Sequence, residues 1–146
     1  MKRFAFPLDR VRRWRSEQVS VEELKLQQLL TEASRLAAMR RNTEAELERT
    51  ERHVLSQDAF DPSELSSLDA FRRHSQRRIQ EIESFRRQCA AKVTEQRECV
   101  LEARRKRELL ERLHAKALEE WRVLNDREQE SLAAELFLAK AVRERE

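Results

Sequence analysis

The sequence predicts an all-α protein, a long antiparallel two-helix coiled-coil hairpin with an overhanging C-terminal helix. Three observations lead to this fold class. The 146 residues include no Gly and only two Pro, so few positions favour tight turns. Charged residues make up 40% of the chain and aromatic residues 5%, and most of the polar residues are the helix formers Glu, Arg, Gln and Lys. Apolar residues also recur with the 3.5-residue period of a coiled coil.

The first helix is predicted over residues 8–56. It follows a short irregular lead that carries Phe4 and Phe6 and ends at Pro7, a residue tolerated in the first turn of a helix. Its heptad pattern is weak as far as Glu22 and becomes regular from Leu26. Additional apolar residues widen the early stripe, which predicts contacts with more than one partner surface. These residues are Val11, Trp14, Val21, Leu24 and Leu30.

A turn is predicted at residues 57–61, and a second helix at about 62–143. Asp61 suits the N-cap position and Pro62 suits the first helical position, so a helix restarts there. No Pro follows Pro62, and steps of three and four residues lead from Leu65 to Val142, although polar residues occupy several of these positions. The whole chain is therefore expected to form a single hairpin.

Charge supports the same fold-back. Residues 16–71 hold twelve carboxylates and six cations, whereas residues 72–107 hold twelve cations and five carboxylates. Antiparallel pairing of these blocks, with residue i opposite roughly residue 120 − i, brings opposite charges together. The second helix then overshoots the first by about 30 residues, and its unpartnered apolar side chains predict an interaction site or an oligomer interface. These side chains are Leu113, Leu118, Trp121, Val123, Leu124, Leu132, Leu136, Phe137 and Leu138.

The composition argues against an enzyme and against a bound cofactor or metal. A chain without Gly has no phosphate-cradling loop of the Walker or Rossmann type. The three histidines are far apart in sequence, and His114 falls on the heptad seam, where a packed residue is expected. Cys89 and Cys99 form no CxxC motif, and ten helical residues separate them by about 15 Å, too far for a disulfide. No stretch is long and apolar enough to enter a membrane directly.

A basic run at residues 104–107, followed by Leu109, Leu110 and Leu113, is faintly like the basic region of a leucine zipper. Acidic residues are interspersed throughout, and a long seam precedes the run. We therefore expect these arginines to face the acidic first helix or solvent, and we expect no binding of nucleic acid.

Over essentially all of its length, the chain resembles the FliJ family of flagellar export stalk proteins and, more distantly, their counterparts in virulence type III secretion. The resemblance rests on the start Phe4-Ala-Phe-Pro-Leu-Asp-Arg-Val-Arg-Arg-Trp-Arg15, the turn near residue 60 and the run Lys106-Arg-Glu-Leu-Leu-Glu-Arg-Leu113. The Asp-Glu pair usual near the family's C-terminus is missing, and Glu130-Ser-Leu-Ala-Ala-Glu135 stands there instead.

The resemblance implies a non-catalytic component of the type III protein export apparatus at the cytoplasmic face of the inner membrane. The open end of such a hairpin enters a hexameric export ATPase and promotes its assembly and activity, the region near the tip contacts the membrane export gate, and some members escort export chaperones. On this mapping the ATPase would be contacted by Leu8, Val11, Trp14, Trp121, Leu124, Leu132, Leu136 and Phe137. The gate would be contacted by Leu68, Phe71, Ser75 and Ile79.

Two alternatives stand beside this expectation. Leu68 and Ile79 lie on the seam and are expected to be core residues, so Phe71 is the better candidate for a gate contact. The apolar end of the second helix could also join two copies of the chain, which would make the protein a dimeric structural scaffold without any ATPase coupling.

Overall fold

The structure is a computed structural model, which describes residues 3–59 and 61–144. Helix α1 runs over Asp9–Leu55 and helix α2 over Pro62–Arg143, and the described residues contain no β-strand. The all-α prediction is therefore confirmed. Each end of α1 lies one residue inside the expected range of 8–56. Phe60, in the expected turn at 57–61, lies outside the described residues.

Local hydrogen bonds explain where the two helices begin. The backbone N–H of Asp9 donates to the carbonyl of Phe6 at 3.1 Å, directly after the irregular lead. At the start of α2, Oδ1 of Asp61 accepts from the backbone N–H of Ser63 at 3.1 Å, and the carbonyl of Asp61 accepts from Glu64 at 3.0 Å. The predicted N-cap at Asp61 is confirmed. The cap satisfies one of the orphan donors of the first turn, and Pro62 has no N–H to satisfy.

The chain divides into two compact units. The first unit comprises the described residues of Val21–Val100, and the second comprises those of Met1–Ser20 and Leu101–Glu146. We call them the hairpin unit and the terminal unit.

In the hairpin unit, α1 and α2 run antiparallel. Its pairs of residues fall within three positions of the expected 120 − i register, so the register follows the heptad pattern. The pairs are the Gln96 side chain with the Glu22 carbonyl (3.0 Å), the Cys89 thiol with the Leu29 carbonyl (3.5 Å), Arg40 with Glu83 (2.7 Å) and Arg72 with Glu51 (2.6 Å).

Seam residues form the narrow core of the hairpin unit. Leu36, Cys89 and Val93 pack together, and half-buried residues of α1 close around them. Ile82 is among the most deeply buried side chains of the described chain, at 1% exposure. Two helices alone cover only one stripe of each other, so many apolar side chains remain on the surface.

The terminal unit has fewer buried residues. Val19 of α1 and Leu110 of α2 are buried, and Arg12 pairs with Glu111 at 3.3 Å between the two helices. The pairing is again close to the expected register. The irregular lead of residues 3–8 belongs to this unit and also lies against α2 through the aromatic contacts described next.

Candidate interaction surface

Four rings of the terminal unit form an aromatic cluster: Phe4, Phe6, His114 and Trp121. Phe4 stands edge-to-face with His114, with ring centroids 5.5 Å apart, and tilted against Trp121 at 5.9 Å. Phe6 also stands edge-to-face with His114, with ring centroids 5.1 Å apart and an interplanar angle of 89°. Such edge-to-face pairs are the favoured aromatic geometry, so the cluster attaches the lead to α2.

The cluster changes the interpretation of the lead. Helix pairing alone leaves Trp121 beyond the first helix, whereas the structure gives it a partner ring from residue 4. His114 packs against both Phe rings, as its seam position predicts. The alternation Phe-Ala-Phe-Pro before the first helical residue carried a usable signal, because apolar residues just before a helix often pack back onto neighbouring structure.

Charged groups fix the start of α1 beside this cluster. Asp9 accepts from Arg12 at 2.9 Å and pairs with Arg13 at 2.7 Å. Its hydrogen bond with Arg12, helped by Arg13, holds the pKa of the Asp9 carboxyl below its usual range. Hydrogen bonds to Asp9 and then to Glu111 raise the pKa of Arg12 above its ordinary value. Arg12 therefore links the first turn of α1 to α2.

Three of the predicted ATPase contacts lie at the beginning of the chain and are exposed: Leu8, Val11 and Trp14. Their spacing of three residues places them along one side of α1. The Arg15 guanidinium lies over the Trp14 ring, 4.6 Å from its centroid, within the range of a cation–π contact. The start of α1 thus presents an apolar stripe flanked by positive charge.

The C-terminal segment of α2, defined here as residues 126–143, contains the two most exposed large apolar side chains among the described residues. Every residue from Asp126 to Lys140 is exposed. Leu136 and Phe137 each have an exposed fraction of 72%, and Leu132 of 52%. Leu124, just before the segment, is also exposed at 57%. The structure thus places four of the predicted contacts, Leu124, Leu132, Leu136 and Phe137, on a surface available to a partner.

The predicted gate residues divide into two pairs. Leu68 and Ser75 are buried, with exposed fractions of 4% and 3%, because they occupy the same heptad position and face α1. Phe71 and Ile79 are half-buried. In this conformation only the second pair offers surface to a partner, and Leu68 and Ser75 support the packing beneath it.

The basic run at residues 104–107 lies mostly on the surface of α2, with Arg107 half-buried. Arg105 and Lys106 approach Glu102 of the same helix at 3.8 and 3.7 Å.

Among residues 3–59 and 61–144, no three His, Cys, Asp or Glu side chains converge as a metal site would require. Within the same ranges, no helix has the length and apolar character needed to cross a membrane.

No protein-family model matches the chain. No curated protein and no solved structure matches it either.

Proposed function

We propose that this chain is a non-catalytic coupling protein of a flagellar-type type III protein export apparatus. In this proposal α2 extends past α1 as a coiled-coil overhang, and the C-terminal segment inserts into a hexameric export ATPase. The chain promotes assembly and activity of the ATPase. It also links the ATPase to the membrane export gate. The resemblance to the FliJ family supplies the identity of the partners. The exposed C-terminal segment supplies a surface on which they could act.

One observation carries the proposal: the apolar side chains of the C-terminal segment point in several directions. Leu136, Phe137 and Leu138 are consecutive and all more than 60% exposed. Consecutive residues of an α-helix point about 100° apart, so these three side chains span more than half of the helix circumference. A helix that is apolar on most sides is suited to an environment that surrounds it. The axial opening of a ring is such an environment.

A scaffold that pairs two copies through this segment is the alternative. Helix pairing covers a single stripe, and the heptad seam of this segment carries Glu128, Ser131 and Glu135 before it reaches Leu138 and Val142. Continuing the seam into a two-stranded coiled coil would therefore bring polar residues to its centre and leave Phe137 outside it. The distribution of apolar residues favours an enclosing partner.

The test is the rate of ATP hydrolysis by the flagellar export ATPase of the same organism, measured with increasing amounts of the full chain, together with the hexameric fraction by light scattering. We expect both to rise. The double variant Leu136→Ala/Phe137→Ala should lose the effect while its helical content stays unchanged, because exposed side chains contribute little to folding. Leu55→Ala is the matched control, since Leu55 is equally apolar, is 54% exposed and lies in the hairpin unit.

Absence of stimulation by a folded wild-type chain would refute the proposal, and so would equal loss of stimulation in Leu55→Ala. Sedimentation equilibrium of the chain alone then tests the alternative, a scaffold that pairs two copies of the chain. A stable dimer that the Leu136→Ala/Phe137→Ala variant dissociates, without any effect of the wild type on the ATPase, would establish the scaffold.

A further inference from the structure

A groove of about 400 Å³ lies on the hairpin unit, between residues 29–39 of α1 and residues 78–92 of α2. The α2 side is a regular face, with lining residues at alternating steps of four and three. Over these positions the face is about 21 Å long, or roughly four helical turns. The lining residues on this side include Arg78, Ile82, Phe85, Cys89 and Lys92.

The middle of the groove is apolar. Ile82, Cys89 and Leu36 form its buried floor, and Phe85 rises from the α2 side with 52% of its surface exposed. Met39 lines the groove from α1, and its flexible thioether can adapt to the shape of a partner. A floor of this kind can accept two or three apolar side chains presented at helical spacing.

The two ends of the α2 face are basic. Arg78 lies at one end of the groove and Lys92 at the other. Arg78 has only a long, exposed contact of 3.4 Å with Glu81 on its own helix, which neutralises it little. The other two charged side chains that line the groove, Arg35 and Glu32, neutralise each other, because Arg35 donates two hydrogen bonds to Glu32 at 2.8 and 2.7 Å. The groove therefore carries net positive charge at its ends.

A second groove in the same unit provides a contrast. It is lined by Ala33 and Ala90 together with charged residues, and it has no large apolar side chain and shares no residue with the first. A groove between two paired helices therefore does not automatically contain an exposed aromatic ring and a Met with basic residues at both ends. The composition of the first groove is specific to its position.

We propose that the first groove binds an amphipathic helix of another protein, one that has an apolar stripe of about three turns between acidic residues at its two ends. The apolar stripe would cover Phe85 and Met39, and the acidic residues would pair with Arg78 and Lys92. A third helix laid along the seam would complete a three-helix packing that two helices leave open. The site uses none of the residues assigned to the ATPase or the gate, so it does not depend on the proposed function.

The probe is a synthetic helical peptide of about 18 residues, with Leu at i, i+4, i+7 and i+11 and Glu in its first and last turns. Its counterpart has Lys at every Glu position. Binding to the full chain is followed by fluorescence polarisation. We expect the acidic peptide to bind at least about tenfold more tightly than the basic one, with a difference that shrinks as salt is added.

Variants of the chain locate the site. Arg78→Glu/Lys92→Glu should reverse the preference between the two peptides, and Phe85→Ala should weaken both by about tenfold or more. Two matched controls should leave binding unchanged: Arg87→Glu, which lies in the second groove, and Leu55→Ala, an exposed apolar residue outside both grooves. In methyl NMR the Met39 signal should shift on binding more than that of Ile79, which does not line the groove.

Equal binding of the two peptides would overturn the proposal, as would an unchanged preference in the Arg78→Glu/Lys92→Glu variant. Self-association of the chain that Phe85→Ala abolishes would also overturn it, because a second copy would then occupy the groove. None of these three results would affect the ATPase test, which monitors the C-terminal segment.

Discussion

Replacing Phe4 by Ala removes a side chain of the lead that contacts both His114 and Trp121. Residues 3–6 lie outside the helices, and the rings of Phe4 and Phe6 contact α2. We expect the substitution to release the lead locally and to leave the helices folded.

The magnitude follows from the two ring pairs that are lost. An aromatic pair contributes about 0.5–1.5 kcal/mol beyond the area it buries, so two pairs contribute about 1–3 kcal/mol to docking of the lead. A loss of about 1.4 kcal/mol lowers the ratio of docked to undocked lead by a factor of about ten. Since Phe4 is only half-buried, the lower half of this range is expected.

Tryptophan fluorescence measures the result. The chain has two tryptophans, so the assay uses a Trp14→Phe background in which Trp121 is the sole emitter. Phe4→Ala should shift the Trp121 emission to longer wavelength, because the indole loses its covering ring. Phe6→Ala is the matched control, since Phe6 contacts His114 and not Trp121 among the ring pairs, and it should move the His114 imidazole resonances with little change in emission.

An unchanged Trp121 emission in Phe4→Ala would refute the reasoning, since the lead would then not cover the indole in solution. A global fall in the unfolding temperature as large as that of a core substitution would refute it as well. In that case the lead would be part of the folding unit and not a local attachment.

Three further predictions concern stability and dynamics. Ile82→Ala should lower the free energy of unfolding by about 2–5 kcal/mol in urea titrations, and Leu24→Ala by no more than about 0.5 kcal/mol; similar losses would contradict the assigned core. The backbone N–H and the side chain of Ser63 lower the pKa of Asp61, so its stabilisation is complete above its unfolded pKa and disappears as the pH falls through the folded pKa. Asp61→Asn keeps the cap, so thermal melts between about pH 2 and pH 5 should depend less on pH than those of the wild type, and an identical slope would exclude this role. Amides of residues 126–143 should exchange rapidly in the free monomer, because a helix without tertiary packing is marginal; slow exchange there would contradict the exposure observed.

Much of the fold could be read from local chemistry. The N-cap at Asp61 depends on residues within two positions of it, and the heptad spacing of Leu36, Cys89 and Val93 sets which side chains meet. The exposure of the predicted partner contacts was harder to predict from the sequence. Whether Leu68 is available to a partner depends on how closely α1 covers it, and periodicity marks a position as apolar without giving its exposure.

By itself the sequence determined the two helices, the position of the turn and the pairing register within the hairpin unit, because each follows from spacing along one chain. Tertiary structure decided that Phe4 reaches Trp121, that Phe85 stands over an apolar groove with basic ends, and that the apolar residues of the C-terminal segment remain exposed. The physical reason is that an irregular lead has no period to extrapolate. The exposure of a helical side chain, likewise, is set by neighbours that are distant in sequence.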